Sequence, residues 1–262
     1  RAAPGLNQER EGACTGFGLA TVAHYLLRTR QVVPDDTPVS PRMLYEMAKR
    51  HDEWEGEEYA GSSARGAMKG WHKLGVCAEG LWPYRSGRTD RDLTRERIDD
   101  ARRRPLGAYY RVNHKDVVAM HSAISEVGVL YATAYVHEGW SAVAADGRIR
   151  PSDQNIGGHA FAVVGYDENG FWIQNSWGEG WGKGGCAHLE YGDWLKNGTD
   201  VWVARLGAPV RLDSAAAIAS DQFAASQTGQ SAGFADLLPH IVSLGNDGRP
   251  TEMGSFGNTP AE

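Results

Sequence analysis

The sequence has little cysteine and no long apolar run. Its 262 residues include only three cysteines, at positions 14, 77 and 186. Three thiols cannot build a disulfide framework, so they favour the cytoplasm or another reducing compartment, or a thiol kept for chemistry. No segment approaches the roughly 18–20 apolar residues that span a bilayer, so no membrane-spanning role is expected.

An excess of positive charge is also missing. The chain has 27 Lys and Arg against 33 Asp and Glu, a formal net charge of −6. Nucleic-acid binding needs a clustered basic surface, and the basic stretch 95–104 is interrupted by Asp99 and Asp100, which indicates a solvated helix face. We therefore expect no nucleic-acid and no membrane partner. No phosphate loop and no Cys/His cluster is present, so no cofactor and no metal is expected.

Helical patterns come first along the chain and strand patterns later. Apolar residues spaced i, i+3, i+4 and i+7 predict a first helix over 13–30, and capping signals predict others over 40–51, 64–74, 90–104 and 116–127. Short β-branched and aromatic runs predict strands over 129–136, 159–166, 171–174, 187–191 and 201–210. Between two of them, Asn169-Gly170 is expected to supply positive φ to a hairpin turn. This order predicts an α+β fold with two subdomains and a cleft between them.

The composition changes near residue 212. Residues 214–233 form a low-complexity Ala/Ser/Gln/Gly stretch typical of a linker, and residues 240–244 form a strand-like run. We therefore expect one domain over 1–212, with lobes of about 1–105 and 106–212. Residues 213–262 are expected to be a linker and C-terminal extension, with the start of a further domain of a longer chain as the alternative.

Three local features point to chemistry. Cys14 lies at the start of the first predicted helix, where unpaired N–H groups favour a thiolate, although a small buried apolar residue is the plainer interpretation. His159 enters an apolar strand after two glycines, where a structural histidine is the alternative. Asn175 begins Asn-Ser-Trp-Gly-Glu-Gly-Trp-Gly, whose two tryptophans and three glycines would otherwise indicate a tight aromatic-packed loop.

The order and spacing of these residues are typical of one family. Cys14 precedes His159 by 145 residues and Asn175 follows that histidine by 16, which is the spacing of the papain/cathepsin group. Over roughly residues 5–210 the sequence resembles the papain-like cysteine peptidases. The similar segments are 7–14 around the cysteine, 159–166 at the histidine, 175–182 at the asparagine, and 61–67 followed by 81–84.

The resemblance implies a papain-like two-lobe fold, with a helical left lobe, an antiparallel barrel-like right lobe and the active cleft between them. It implies hydrolysis of a peptide or protein substrate through a thioester acyl-enzyme. The catalytic residues it implies are Cys14 and His159 as a thiolate–imidazolium pair, Asn175 as the orienting acceptor and Gln8 as an oxyanion donor. Those implied to contact substrate or shield the site are Gly61, Ser62, Trp177 and, in an apolar specificity pocket, Ala160.

Several positions depart from the family pattern. Glu11 replaces a cysteine that normally forms a disulfide, Thr15 replaces an aromatic residue, and Gly158 replaces the usual Asp or Asn. These departures predict a disulfide-free, bacterial-type branch in which Cys77 and Cys186 are packing residues.

Two alternatives remain open at this point. One is another acyl transfer by the same Cys and His, such as transamidation or cleavage of a peptide crosslink. The other is a non-catalytic peptide-binding module on the same fold, which a fast-labelling Cys14 would exclude. The presence of Cys14, His159, Asn175 and Gln8 together favours the enzyme.

Overall fold

The computed structural model of the chain describes residues 3–31, 34–53, 61–85 and 90–209. Its contacts divide the chain into Arg1–Arg211 and Leu212–Glu262, and all described residues belong to the first unit. The predicted linker 214–233 and the predicted strand 240–244 lie outside the described residues.

The first part of the described chain is helical, as predicted. It contains α1 (Cys14–Thr29), α2 (Pro41–Arg50), α3 (Ala64–Leu74) and α4 (Arg95–Ala101). The side-chain oxygens of Ser40, Ser63 and Thr94 each accept a backbone N–H in the first turn of α2, α3 and α4. Ala13 caps α1 without a side-chain hydrogen bond. The cysteine at position 14 therefore begins a helix whose first N–H groups no cap side chain satisfies.

The predicted helix 90–104 is too long, and the solvated face predicted for its basic residues is wrong at two of them. Arg97 and Arg104 are buried. Arg97 donates to both carboxylate oxygens of Asp90, at 3.0 and 2.6 Å, and the helix begins only after its cap at Thr94. Arg104 pairs with Asp35 at 3.1 Å and with Asp100 at 2.9 Å. These ion pairs, which the charge pattern does not specify, accompany the burial of the two arginines.

The second part contains an antiparallel sheet. Its strands are β1 (Leu106–Arg111), β2 (Leu130–His137), β3 (Asn155–Tyr166), β4 (Gly170–Gln174), β5 (Cys186–Glu190) and β6 (Gly198–Leu206), with α5 (Val117–Val127) and α6 (Tyr191–Asn197) between them. The described strands lie in the order β1-β6-β2-β3-β4-β5. Five strands match the predicted ones within a few residues, whereas β1 and α6 were not predicted. The α+β class is confirmed.

The turn between β3 and β4 exists, but its predicted positive φ is wrong. Among the described residues only Glu9 has a positive φ without being a glycine, and Gly170 is not among the glycines that do. The carboxylate of Asp167 accepts the backbone N–H groups of Asn169 and Gly170, at 2.9 and 3.2 Å. This side-chain acceptor closes the turn in place of the positive φ that Asn-Gly commonly supplies.

Two larger apolar clusters form the core. One joins α1 and α3 to the sheet and includes Leu19, Trp71 and Tyr131. The other fills the sheet's remaining face beneath α5 and α6 and includes Phe161 and Trp194. No helix in the described part of the chain is long and apolar enough to cross a membrane.

Two glycines let α1 approach its neighbours closely, and this places the start of α1 beside the sheet. A Cβ on Gly16 would lie 2.5 Å from the carbonyl oxygen of Pro41 in α2, and a Cβ on Gly18 would lie 3.0 Å from the backbone nitrogen of Phe161 in β3. Neither neighbour is a flexible side chain. The absence of a Cβ therefore sets how close Cys14 comes to β3.

Gly16→Ala should lower the free energy of unfolding by about 1–3 kcal/mol, because the added methyl group overlaps backbone atoms of a packed interior. Gly192→Ala is the matched control, since that helical glycine has no atom within 4 Å of an added Cβ. It should leave the stability unchanged or slightly higher. Denaturant unfolding of both variants measures the difference, and equal stabilities would contradict the packing argument.

Candidate active site

Three elements bring the predicted site residues together. Cys14 is the first residue of α1, His159 lies within β3, and Asn175 directly follows β4, the antiparallel neighbour of β3. Cys14 and His159 line the same cleft, whose volume is about 470 Å³. The cleft therefore combines a side chain of the helical part with one of the sheet.

The histidine is held by a defined hydrogen bond. Nε2 of His159 lies 2.7 Å from Oδ1 of Asn175. The same Oδ1 accepts the backbone N–H of Ser176, also at 2.7 Å, so this atom of the amide must be the oxygen. Because Oδ1 can only accept, Nε2 must carry the proton. In the neutral ring, Nδ1 is then the unprotonated nitrogen.

Aromatic rings surround this hydrogen bond. The ring centroid of Trp177 lies 5.0 Å from that of His159, and Trp140 contacts His159 edge to face at 6.3 Å. Only 6% of His159 and 1% of Asn175 is exposed. Burial penalises the imidazolium and lowers the pKa of His159 to about 4, although the bond to Asn175 opposes the shift.

Burial also acts on the cysteine. It raises the pKa of the Cys14 thiol, while the backbone N–H groups of Ala160, Thr15 and Cys14 itself partly oppose the increase. Both pKa directions favour a neutral thiol beside a neutral imidazole. Desolvation therefore opposes the expected thiolate–imidazolium pair, whereas the helix N-terminus and the hydrogen bonds favour it. The charge state of the pair stays a prediction.

Gln8 is connected to Asn175 through one serine. The backbone N–H of Gln8 donates to the carbonyl of Ser176 at 2.9 Å, and the Ser176 hydroxyl donates to Oε1 of Gln8 at 2.7 Å. Nε2 of Gln8 donates to the backbone carbonyl of Glu11 at 3.1 Å, which fixes the amide orientation. One N–H of this amide stays available to another acceptor.

The predicted substrate residues lie in two places. Gly61, Ser62 and Ala160 line the cleft, and Trp177 lies against His159. Thr15, which replaces an aromatic residue, has its hydroxyl 2.6 Å from that of Ser62. This bond joins the start of α1 to the Gly61 segment.

The lining of the cleft also includes polar side chains. The hydroxyls of Thr133 and Thr199 lie 2.8 Å apart, and Arg111 donates to Asp200 at 2.8 Å. All four line the same cleft as Ala160. Because they come from three strands separated along the chain, no local motif indicated them.

The remaining thiols lie outside this arrangement. All three cysteines are free. Cys77 is fully buried, and burial raises its pKa to about 12. Burial also raises the pKa of Cys186. Across the described ranges, no group of three or more His, Cys, Asp or Glu side chains is arranged to hold a metal ion.

Sequence analysis missed Ser176 and Arg42. Ser176 stood inside the asparagine segment, which was the signal that could have indicated it. Arg42 is a buried arginine whose contact with Glu11 crosses 31 residues. No local pattern predicts such a contact.

The helical part and the antiparallel sheet define a papain-like α+β fold, and comparison with known proteins agrees. Residues 4–200 match the family model described as papain family cysteine protease. The chain belongs to this family.

Individual relatives are distant. The chain is 23% identical over 200 residues to the uncharacterized peptidase C1-like protein L477 of Acanthamoeba polyphaga mimivirus, covering 71% of this chain and 64% of the relative. It therefore spans less than two thirds of that relative's length. Xylellain, a cysteine protease from Xylella fastidiosa, is 26% identical with a TM-score of 0.68, over 79% of this chain and 83% of xylellain.

The likeness to a plant protein shows the fold alone. The bromelain protease from Ananas comosus, solved in complex with the E64 inhibitor, is 17% identical with a TM-score of 0.61. The match covers 79% of this chain and 94% of bromelain.

At neutral pH the His159 ring should carry its proton on Nε2 and not on Nδ1, and it should stay neutral until the pH falls to about 4. The reason is the acceptor at Asn175 combined with burial, which disfavours the charged ring. Nitrogen-15 NMR of the imidazole, followed through a pH titration, measures both properties. A ring protonated on both nitrogens at pH 6 would contradict this description of the site.

Proposed function

We propose that this chain is a cysteine peptidase that hydrolyses peptide bonds through a thioester acyl-enzyme. Cys14 is the nucleophile, His159 is the general base and then the general acid, and Asn175 orients the histidine. Gln8 donates a hydrogen bond to the oxyanion. The observation that carries this proposal is the bond from His159 Nε2 to Asn175 Oδ1, which leaves Nδ1 of a cleft-lining histidine free to accept a proton.

The first step follows from the neutral resting pair. Nδ1 of His159 takes the thiol proton as Cys14 Sγ attacks the substrate carbonyl carbon. The imidazolium formed is stabilised because its Nε2–H already donates to Asn175. A substrate that fills the cleft removes more water, so the developing charges meet fixed dipoles instead of solvent.

The carbonyl oxygen becomes an oxyanion in this step. Nε2 of Gln8 still has one N–H available, and the backbone N–H of Cys14 lies at the uncapped start of α1. Two donors of this kind stabilise a tetrahedral intermediate, and one is typically worth about 3–4 kcal/mol.

The second half returns the enzyme to its starting state. The His159 imidazolium gives its proton to the leaving amine, and the C–N bond breaks to leave a thioester on Cys14. Water then attacks the thioester with His159 as base, releasing the carboxylic acid and restoring the thiol. No group beyond the protein and water is needed to balance the reaction.

Substrate binding follows from the cleft lining. Gly61 has no side chain, so a substrate strand can pair with its backbone. Ser62 and Ala160 border the same space. Trp177 covers the His159–Asn175 hydrogen bond and keeps water from it. The bacterial-type branch stays a prediction, supported by three free cysteines and by the likeness to xylellain of Xylella fastidiosa.

The competing functions give different results with the same reagents. A peptide-binding module should react with iodoacetamide no faster than a free thiol does. In the peptidase the reaction should be faster, because His159 takes the proton of the Cys14 thiol. A transamidating enzyme should transfer the acyl group to an added amine in preference to water.

Cys14→Ala should abolish both peptide hydrolysis and fast alkylation by iodoacetamide or a peptidyl epoxide, because it removes the nucleophile. Circular dichroism should show an unchanged fold. Cys186→Ala is the matched control, since Cys186 is a half-buried thiol with a raised pKa outside the proposed mechanism. It should keep both activities. Undiminished turnover in Cys14→Ala would overturn the assignment.

A further inference from the structure

Residues 8–14, here called the oxyanion segment, carry both the proposed oxyanion donor and the proposed nucleophile. The segment lies outside the helices and strands until α1 begins at Cys14. Its Glu9 adopts φ of +56°, an uncommon backbone conformation for a side chain of this kind. Its shape therefore depends on contacts other than the hydrogen bonds of helices and strands.

An ion pair holds the middle of this segment. Nη1 and Nη2 of Arg42 donate to the two carboxylate oxygens of Glu11, at 2.7 and 2.6 Å. Only 3% of the Arg42 side chain and 23% of the Glu11 side chain is exposed. Burial works to raise the pKa of Glu11, but the bonds and charge of Arg42 lower it overall, so the carboxylate stays ionised. Two parallel bonds to a planar guanidinium fix direction as well as distance.

Arg42 is itself held rigidly by α2 and its surroundings. It donates to Glu46 one turn later at 3.2 Å and to the backbone carbonyl of Arg85 at 3.0 Å. Its guanidinium carbon lies 4.8 Å from the centre of the Tyr84 ring. The Tyr84 hydroxyl donates to the backbone carbonyl of Gln8 at 2.6 Å. The arginine therefore acts on two points of the oxyanion segment, Glu11 directly and Gln8 through Tyr84.

We propose that Glu11 and Arg42 are positioning residues, whose two-pronged ion pair keeps the oxyanion segment in the shape that points the Gln8 amide at the reacting carbonyl. This inference rests on the proposed function. In the proposed mechanism, neither Glu11 nor Arg42 touches the substrate. Their effect reaches the reaction through the Glu11 backbone carbonyl, which accepts a hydrogen bond from Nε2 of Gln8.

Arg42 has two carboxylate partners, and comparing them separates an effect on catalysis from an effect on stability alone. Glu11 and Glu46 both neutralise Arg42, but Glu11 belongs to the oxyanion segment whereas Glu46 lies on the same helix as the arginine. Loss of either carboxylate removes one partner of a buried charge and should weaken the fold. Only loss of the Glu11 carboxylate releases the oxyanion segment.

The test compares Glu11→Gln with Glu46→Gln in the full chain, with Gln8→Ala as the benchmark. Small displacements of a positioned group lower turnover steeply, so Glu11→Gln should lower kcat by about ten-fold and change KM by less than about two-fold. Glu46→Gln should keep kcat within about two-fold of the wild type. Gln8→Ala should lower kcat by about 10²–10³. The active fraction is counted by titrating Cys14.

A second pair of variants keeps the inference testable if Glu11→Gln does not fold. Arg42→Lys keeps the charge but loses the two-pronged geometry, so it should lower kcat as Glu11→Gln does. The double variant Glu11→Gln, Arg42→Lys should be no slower than the slower single variant, because both changes break one interaction.

The outcomes separate the two proposals. Equal kcat in Glu11→Gln and Glu46→Gln, in an active wild type, would overturn the positioning role and leave the peptidase proposal intact. An unchanged kcat in Arg42→Lys would do the same. A wild type without Cys14-dependent turnover would overturn both.

Discussion

The site depends on one oxygen atom, Oδ1 of Asn175, which accepts two N–H groups at once. The backbone N–H of Ser176 identifies the atom as an acceptor, and His159 must then donate to it through Nε2. This bond settles the ring's tautomer and direction before any substrate binds. The same Ser176 also bonds Gln8 through its hydroxyl and its carbonyl. One residue therefore orients the proposed base and the proposed oxyanion donor together.

The candidate residues could be predicted from the sequence because local features suggest them and their order and spacing match one family. A cysteine at a helix start and an asparagine inside a tryptophan- and glycine-rich segment each stand out without any knowledge of the fold. The ion pair between Glu11 and Arg42 was not visible, since its partners are 31 residues apart and neither has a local signature. The charge state expected for Cys14 and His159 stays a prediction. Sequence indicates which groups meet, whereas burial, which opposes a thiolate at Cys14, appears only in three dimensions.

The fold could be predicted where periodicity is strong. The long helix α1 and the buried strand β3 have clear apolar patterns, and both were predicted with small errors at the ends. The edge strand β1 was missed because most of its residues are partly or fully exposed, so it has no clean alternation. Helix α6 has only seven residues with a glycine at its second position, too short for a helical period to show. Contacts between distant residues decided those elements.

The central claim is that Cys14 forms a thioester with the substrate's acyl group. Acid quenching of the enzyme during turnover of a peptide ester, followed by intact-mass and peptide-mapping mass spectrometry, measures it directly. The account predicts one acyl adduct per active chain, located on Cys14 and discharged by hydroxylamine. Turnover with the adduct on another residue, or with no adduct under conditions where deacylation is rate-limiting, would contradict it.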